Sequence, residues 1–156
     1  MPDIYRSAAS ILVLRANPQD SSSYELLLLH KPRKNDSWQL PQGGVEKGET
    51  IEQAAVRELK EEASVDGCRV LGTSEVFYKY DFPAGFRRFR PDNVCGQQIN
   101  FVLALAPENT QVTVDGVEVD GFVWVTMQTA VKYVKRKEYL ELMKGLYEEA
   151  LVLMRG

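Results

Sequence analysis

Hydrophobic and polar positions divide the chain into short apolar runs separated by polar turns. Ala8 to Arg15 (AASILVLR) and Tyr24 to His30 (YELLLLH) are near-continuous in apolar side chains, the pattern of strands buried on both faces. The polar ANPQDSSS between them is rich in turn-forming residues and reads as a loop. Arg69 to Tyr80 and Gln97 to Leu105 read as two long strands, and Val112 to Val114 and Gly121 to Val125 as two shorter ones. Between the first and second pair lies a helix over Ile51 to Ala63. Thr50 followed three residues later by Gln53 is a capping box at its start, and Ile51, Ala55 and Leu59 form its apolar stripe. From Thr126 onward the chain reads as helical, with Leu140, Met143, Leu146, Tyr147 and Ala150 at core-facing spacing. Strands, a helix, more strands and terminal helices predict one α/β or α+β domain over residues 1–156, its mixed sheet lying between helices.

The helix is unusual in its charges. Glu58, Glu61 and Glu62 stand at i, i+3 and i+4, so they project from one side, bordering the apolar stripe. Like charges at that spacing repel, and the C-terminal half of a helix disfavours anions. ELKEE by itself is the composition of any solvated helix face. The alternative is a cation among the carboxylates, and an oxygen-only ligand set suits a hard divalent ion such as Mg²⁺ or Mn²⁺.

Composition narrows the field. With 44% hydrophobic and 26% charged residues, 156 residues make a chain that buries an ordinary core. A net charge of −3 and a pI near 5.3 argue against broad non-specific nucleic-acid binding, though not against a local basic pocket. Two cysteines, Cys68 and Cys95, give no disulfide framework and suit a reducing compartment. No signal pattern opens the chain and no apolar run nears 18 residues, so the expected location is intracellular and cytoplasmic, with no membrane partner. His30 is the single histidine and reads as structural, and no histidine and cysteine cluster offers a zinc site. The connection DFPAGFRRFRPDNVCG interleaves Arg87, Arg88 and Arg90 with Phe86 and Phe89; the same composition serves a plain charged loop or a substrate-facing lid.

The wider spacing around the acidic helix is more specific. Gly43, Glu49, Arg57-Glu58-Leu59, Glu61-Glu62 and Val65 fall at the fixed positions of the Nudix box, which this segment resembles throughout except where Ser64 replaces its last glycine. That glycine is a left-handed helix cap, which serine adopts at a small cost. The resemblance covers nearly the whole chain. It is greatest to the bacterial RNA pyrophosphohydrolases and the plant-type asymmetric diadenosine tetraphosphate hydrolases. It is carried by Tyr5-Arg6, Ser37-Trp38-Gln39, Pro41-Gln42-Gly43-Gly44, Tyr80-Asp81-Phe82-Pro83 and Gly96-Gln97, and further on by Glu118, Asp120-Gly121-Phe122-Val123-Trp124, Val134-Lys135-Arg136 and Tyr139.

The resemblance implies an α/β/α sandwich with a mixed sheet, and a hydrolase that cuts a phosphoric anhydride with Mg²⁺, for which Mn²⁺ can substitute. It implies that Glu58, Glu61, Glu62, Glu118 and the Gly43 carbonyl hold the metal, and that Arg57 orients carboxylates, Glu49 and Glu61 being its candidate partners. Glu118 matches a further metal ligand or base, and the general base is open among Glu58, Glu61 and Glu118. Arg6, Lys31, Gln39, Gln42, Tyr80 and Lys135 are implied to line the substrate pocket, cations on phosphates and Tyr80 near a base. The subfamily continues Gly-Gln with Lys-Gln-Lys-Trp, whereas this chain has Gln98-Ile99-Asn100-Phe101. Two lost cations and the acidic pI favour asymmetric cleavage of diadenosine tetraphosphate to ATP and AMP, with triphosphorylated RNA as the alternative. Diphosphoinositol polyphosphates and nucleoside diphosphate sugars lie further out. A non-catalytic nucleotide- or RNA-sensing module is the alternative of another class, and the intact Arg57 and box glutamates count against it.

Overall fold

The apolar runs form the centre of a seven-stranded sheet in the computed structural model, which describes residues 4–32, 37–87 and 93–155. In chain order the strands are β1 (Ile4–Asn17), β2 (Asp20–Lys31), β3 (Ser37–Gln39), β4 (Gln42–Gly44), β5 (Arg69–Asp81), β6 (Val94–Leu105) and β7 (Gly121–Val125). The helices are α1 (Ile51–Ala63), α2 (Ala84–Arg87), α3 (Met127–Ala130) and α4 (Lys137–Arg155). The path through the sheet is β3-β2-β1-β6-β5, with β4 also paired to β1 and β7 to β2. The β1–β6 ladder is parallel and the other pairings are antiparallel, so the sheet is mixed.

Successive residues on the central strands serve opposite faces. Leu12, Leu14, Leu26, Leu28, Phe101 and Leu103 pack under Met143, Leu146 and Ala150 of α4. Ile11, Val13, Leu27, Leu29, Val102 and Ala104 pack under Ala54, Ala55, Leu59 and Ala63 of α1. Both faces are covered, which is why these strands read as unbroken apolar runs rather than as alternating ones. The architecture is the expected α/β/α sandwich.

Local structure differs from the sequence reading at several places: residues 16–17 and 20–23 of the expected loop continue β1 and β2, and residues 84–87 of the expected connecting loop form α2. Val112–Val114 is not a strand: Thr113 N–H donates to the Ala63 carbonyl at 3.0 Å, and both valines pack into the α1-side core. Its alternation marks two buried anchors on an extended segment, with no neighbouring strand to complete a ladder. The helical tail is divided in two, as terminal helices were expected to be, and the break between them is a feature of the structure. Thr126 caps α3, which stops at Ala130, and α4 begins only at Lys137. The interruption lets Val134 plug into the core and Tyr133 pack edge-on to Trp38, ring centroids 5.1 Å apart. The short strands β3 and β4 are additions, made where Leu40-Pro41 turns the chain from β2 to β1.

Thr50 and Gln53 form both hydrogen bonds of the capping box, and α1 ends at Ser64 with φ 56° and ψ 29°, while Ser64 N–H donates to the Lys60 carbonyl. A left-handed cap costs an L-residue about 1 kcal/mol that glycine avoids. Ser64→Gly is therefore expected to raise Tm by roughly 2–4 °C, read by thermal unfolding. An unchanged Tm would mean the cap is unstrained.

Candidate active site

β4, the turn after it and α1 bring the acidic side chains around Arg57. Its Nε and Nη2 donate to the two oxygens of Glu49 at 2.7 and 2.9 Å, a two-pronged pair of the kind a planar guanidinium makes best. Nη1 donates to Glu58 at 2.8 Å and to Glu61 at 3.3 Å, and Nη2 also reaches the Gly44 carbonyl at 2.8 Å. A single guanidinium thus ties the turn, β4 and two of the helix carboxylates together. Arg57 acts on carboxylates, through a geometry that lysine cannot reproduce.

Glu58 lies flat against Gly43. A Cβ built on that glycine would stand 2.0 Å from the Glu58 carboxyl carbon, so only glycine leaves the cradle open. Glu62 is buried and fully engaged: one oxygen accepts the Gln42 N–H at 2.9 Å, and the other pairs with the Lys31 ammonium at 2.5 Å. Lys31 was implied as a substrate contact; its Nζ instead faces Glu62 and donates to the Gln42 carbonyl at 3.2 Å. Glu61 is the exposed member, its side chain 57% accessible. Glu118 sits in an exposed loop whose turn is made by the Asp115 carboxylate, which accepts the N–H groups of Val117, Glu118 and Val119. Among the described residues no hydrogen bond or ion pair joins the Glu118 carboxylate to α1.

A cavity of about 810 Å³ opens beside β4 and takes in Gln39, Gln42, Tyr80 and Lys135 of the implied substrate contacts. Tyr78 and Tyr80 form one wall, their rings 5.6 Å apart, and Lys135, Arg136 and Lys137 line the cavity with them. The break between α3 and α4 presents that basic segment, and the sequence does not mark where the break falls. Tyr78, Trp38 and Tyr139 went unassigned as cavity residues because aromatic residues near strand and helix ends equally serve a core. Arg6 is not in the cavity lining; it shares a cross-strand row with Gln97 and Tyr80, and its guanidinium covers Gly44. Gln98 and Asn100 fall on the opposite, α1-facing side of β6, where Gln98 Nε2 donates to Asn100 Oδ1 at 3.3 Å. His30 pairs with Asp120 and leans on Trp38, a structural role. Of the loop arginines, Arg88 and Arg90 lie outside the described residues, and so does the Arg87 side chain.

The Arg57 guanidinium holds the Glu49 carboxyl down at about 2, helped by the Glu46 N–H. Burial pushes Glu58 the other way, above the usual carboxylate value; Arg57 partly opposes this and the Glu62 and Glu61 charges add to it. The signs differ. A depressed carboxylate contributes stability above its ordinary value of 4.5, and that contribution is lost as pH falls toward 2. Acid titration of unfolding free energy should therefore fall over that window in the wild type and more shallowly in Glu49→Gln. Parallel curves would show that the pair is not coupled to folding.

The donor set suits a divalent cation. All the side-chain oxygens are carboxylate, and the Gly43 cradle has no Cβ to fill it. Among the described residues no group of three His, Cys, Asp or Glu side chains is set to cage an ion in the conformations they hold, because Arg57, Lys31 and the Gln42 N–H occupy the carboxylates.

Residues 4–146 match the profile of the NUDIX domain. The chain is 33% identical to the RNA pyrophosphohydrolase of Baumannia cicadellinicola over 96% of its length and 95% of that protein. It is 37% identical to the RNA pyrophosphohydrolase of Hydrogenovibrio crunogenus over 74% of its length and 72% of that protein. In structure it resembles an Ap4A hydrolase from C. elegans, with TM-score 0.69 and 22% identity over 97% of this chain and 98% of that one, a likeness of fold.

Proposed function

The chain belongs to the Nudix family and is a pyrophosphohydrolase, and we propose that the anhydride it cuts is at the 5′-triphosphate end of RNA. The observation that carries this is the similarity, over nearly the full length of both chains, to RNA pyrophosphohydrolases. Hydrolysis would release pyrophosphate and leave a 5′-monophosphate. The cavity supports the reading: bases have tyrosine faces to stack on, and backbone phosphates have the Lys135–Lys137 segment to meet.

In such a reaction catalysis is mostly placement and charge neutralisation. A divalent ion, Mg²⁺ by our reading, would be held by Glu58, Glu61, Glu62 and the Gly43 carbonyl, and would supply charge neutralisation and a water of lowered pKa. Arg57 fixes Glu58 and Glu61 against the turn, and Gln42, shared between cavity and carboxylate clamp, links substrate placement to the acidic helix. Glu118 would serve as a further metal ligand or base from the loop that the Asp115 carboxylate turns.

Asymmetric cleavage of diadenosine tetraphosphate is the second reading, favoured by the neutral Gln98 and Asn100. Its force is reduced because Lys79 is the cross-strand neighbour of Gln98 and returns a cation to that row. Purified protein with Mg²⁺ should be given triphosphorylated RNA and diadenosine tetraphosphate in parallel, with products separated chromatographically. Pyrophosphate from RNA at the higher kcat/KM is expected. ATP and AMP from the dinucleotide with little RNA turnover would replace this reading by the second, and no product from either would reopen the sensing module.

A further inference from the structure

The Lys31–Glu62 pair stands out because Glu62 is buried and Lys31 largely so, and yet both lie in the acidic site. Their side chains are 14% and 7% exposed, and they close on the Gln42 peptide from opposite ends: Glu62 accepts its N–H while Lys31 donates to its carbonyl. Three elements, β2, β4 and α1, are joined at one peptide next to the Gly43 cradle. A buried ion pair is a poor source of stability compared with apolar packing, so its placement calls for another reason. Glu62 is also one of three carboxylates crowded on one helix side, and without a cation beside it that charge would be uncompensated.

We propose that Lys31 is the resident counter-cation of Glu62: it holds the carboxylate and the Gln42–Gly43 backbone in position and, by its charge, sets how tightly the acidic helix takes a divalent cation. Lys31 is a positioning residue here, acting through Glu62. Two cations sharing one carboxylate repel, and site affinity for hard divalent ions is tuned by the charge count around the ligands. The inference rests on the acidic helix holding a divalent ion and is independent of which polyphosphate is cut.

The test is Mn²⁺ titration of the full chain, wild type against Lys31→Met, Lys31→Arg, Glu62→Gln and the double variant Lys31→Met/Glu62→Gln, followed by free-Mn²⁺ paramagnetic resonance and by Tm. Without metal, Lys31→Met should lower Tm by roughly 6–20 °C, because it leaves a buried charge unpaired. It should then bind Mn²⁺ about tenfold more tightly than the wild type and regain more Tm on saturation. Lys31→Arg should keep wild-type affinity. The double variant should regain the metal-free Tm and bind no more tightly than Glu62→Gln alone. If Lys31→Met does not fold alone, Mn²⁺-dependent folding is the expected result, and failure to fold with Mn²⁺ overturns the proposal. Equal or weaker Mn²⁺ binding in Lys31→Met also overturns it. Absence of Mn²⁺ binding in every protein overturns it together with the metal reading of the helix, whereas substrate choice is untouched by any of these outcomes.

Discussion

Gly43→Ala is expected to lower turnover by roughly two to three orders of magnitude. The added methyl carbon would fall 2.0 Å from the Glu58 carboxyl carbon and 2.2 and 2.4 Å from its oxygens, closer than any real contact. Either Glu58 leaves Gly43 and its bond to Arg57, or β4 moves away from α1. A displacement on the order of 1 Å in a preorganised site costs about 100-fold, and the loss of a charge-stabilising group up to about 1,000-fold. Because the carboxylate is expelled from the place the proposed mechanism gives it, the loss should fall on kcat more than on KM. Near-normal kcat, with the fold verified by circular dichroism, would show that the Glu58–Gly43 approach has no part in the chemistry.

Glu61→Gln and Glu62→Gln are each expected to lower turnover by at least about 100-fold, since each removes one of the charges gathered on the active side of α1. Their stabilities should separate. Glu61 is exposed and shares Arg57 with three other carboxylates, Glu46, Glu49 and Glu58, so its neutralisation should change stability by less than about 0.5 kcal/mol. Glu62→Gln leaves the Lys31 ammonium buried beside a neutral amide, a change of the class that costs about 3–5 kcal/mol. That amounts to a Tm fall of roughly 6–20 °C in a chain of this size. Kinetics with thermal unfolding decide both halves: near-normal activity in the two variants would end the metal assignment, and equal Tm values would end the buried-pair account.

Much of this was legible in the sequence because the signals are local. SILVL and LLLL declare strands buried on two faces, since no other arrangement tolerates such runs in a soluble sheet. Thr50 and Gln53 fix where α1 begins, and the helical repeat then places Glu58, Glu61 and Glu62 on one side whatever surrounds them. The resemblance to the Nudix box picked out Gly43, Glu49, Arg57 and the left-handed cap at Ser64, all of which lie within one turn-and-helix unit.

What the sequence could not decide depends on residues far apart in the chain. Lys31 is 31 positions from Glu62, and nothing along the chain says that its ammonium meets a carboxylate rather than a phosphate; the β2–α1 packing does. Val112–Val114 has the alternation of a strand, yet a ladder needs a neighbouring strand, and among the described residues Thr113 N–H finds the Ala63 carbonyl at the end of α1 instead. The gap between α3 and α4 follows from where Val134 and Tyr133 find partners, and that gap brings Lys135–Lys137 to the cavity. The sequence by itself determined the layers and the acidic helix, because covalent periodicity sets them. Tertiary structure alone decided which cation neutralises which carboxylate and which face of the sheet carries the cavity, because charge pairing and cavity shape depend on distances that only packing creates.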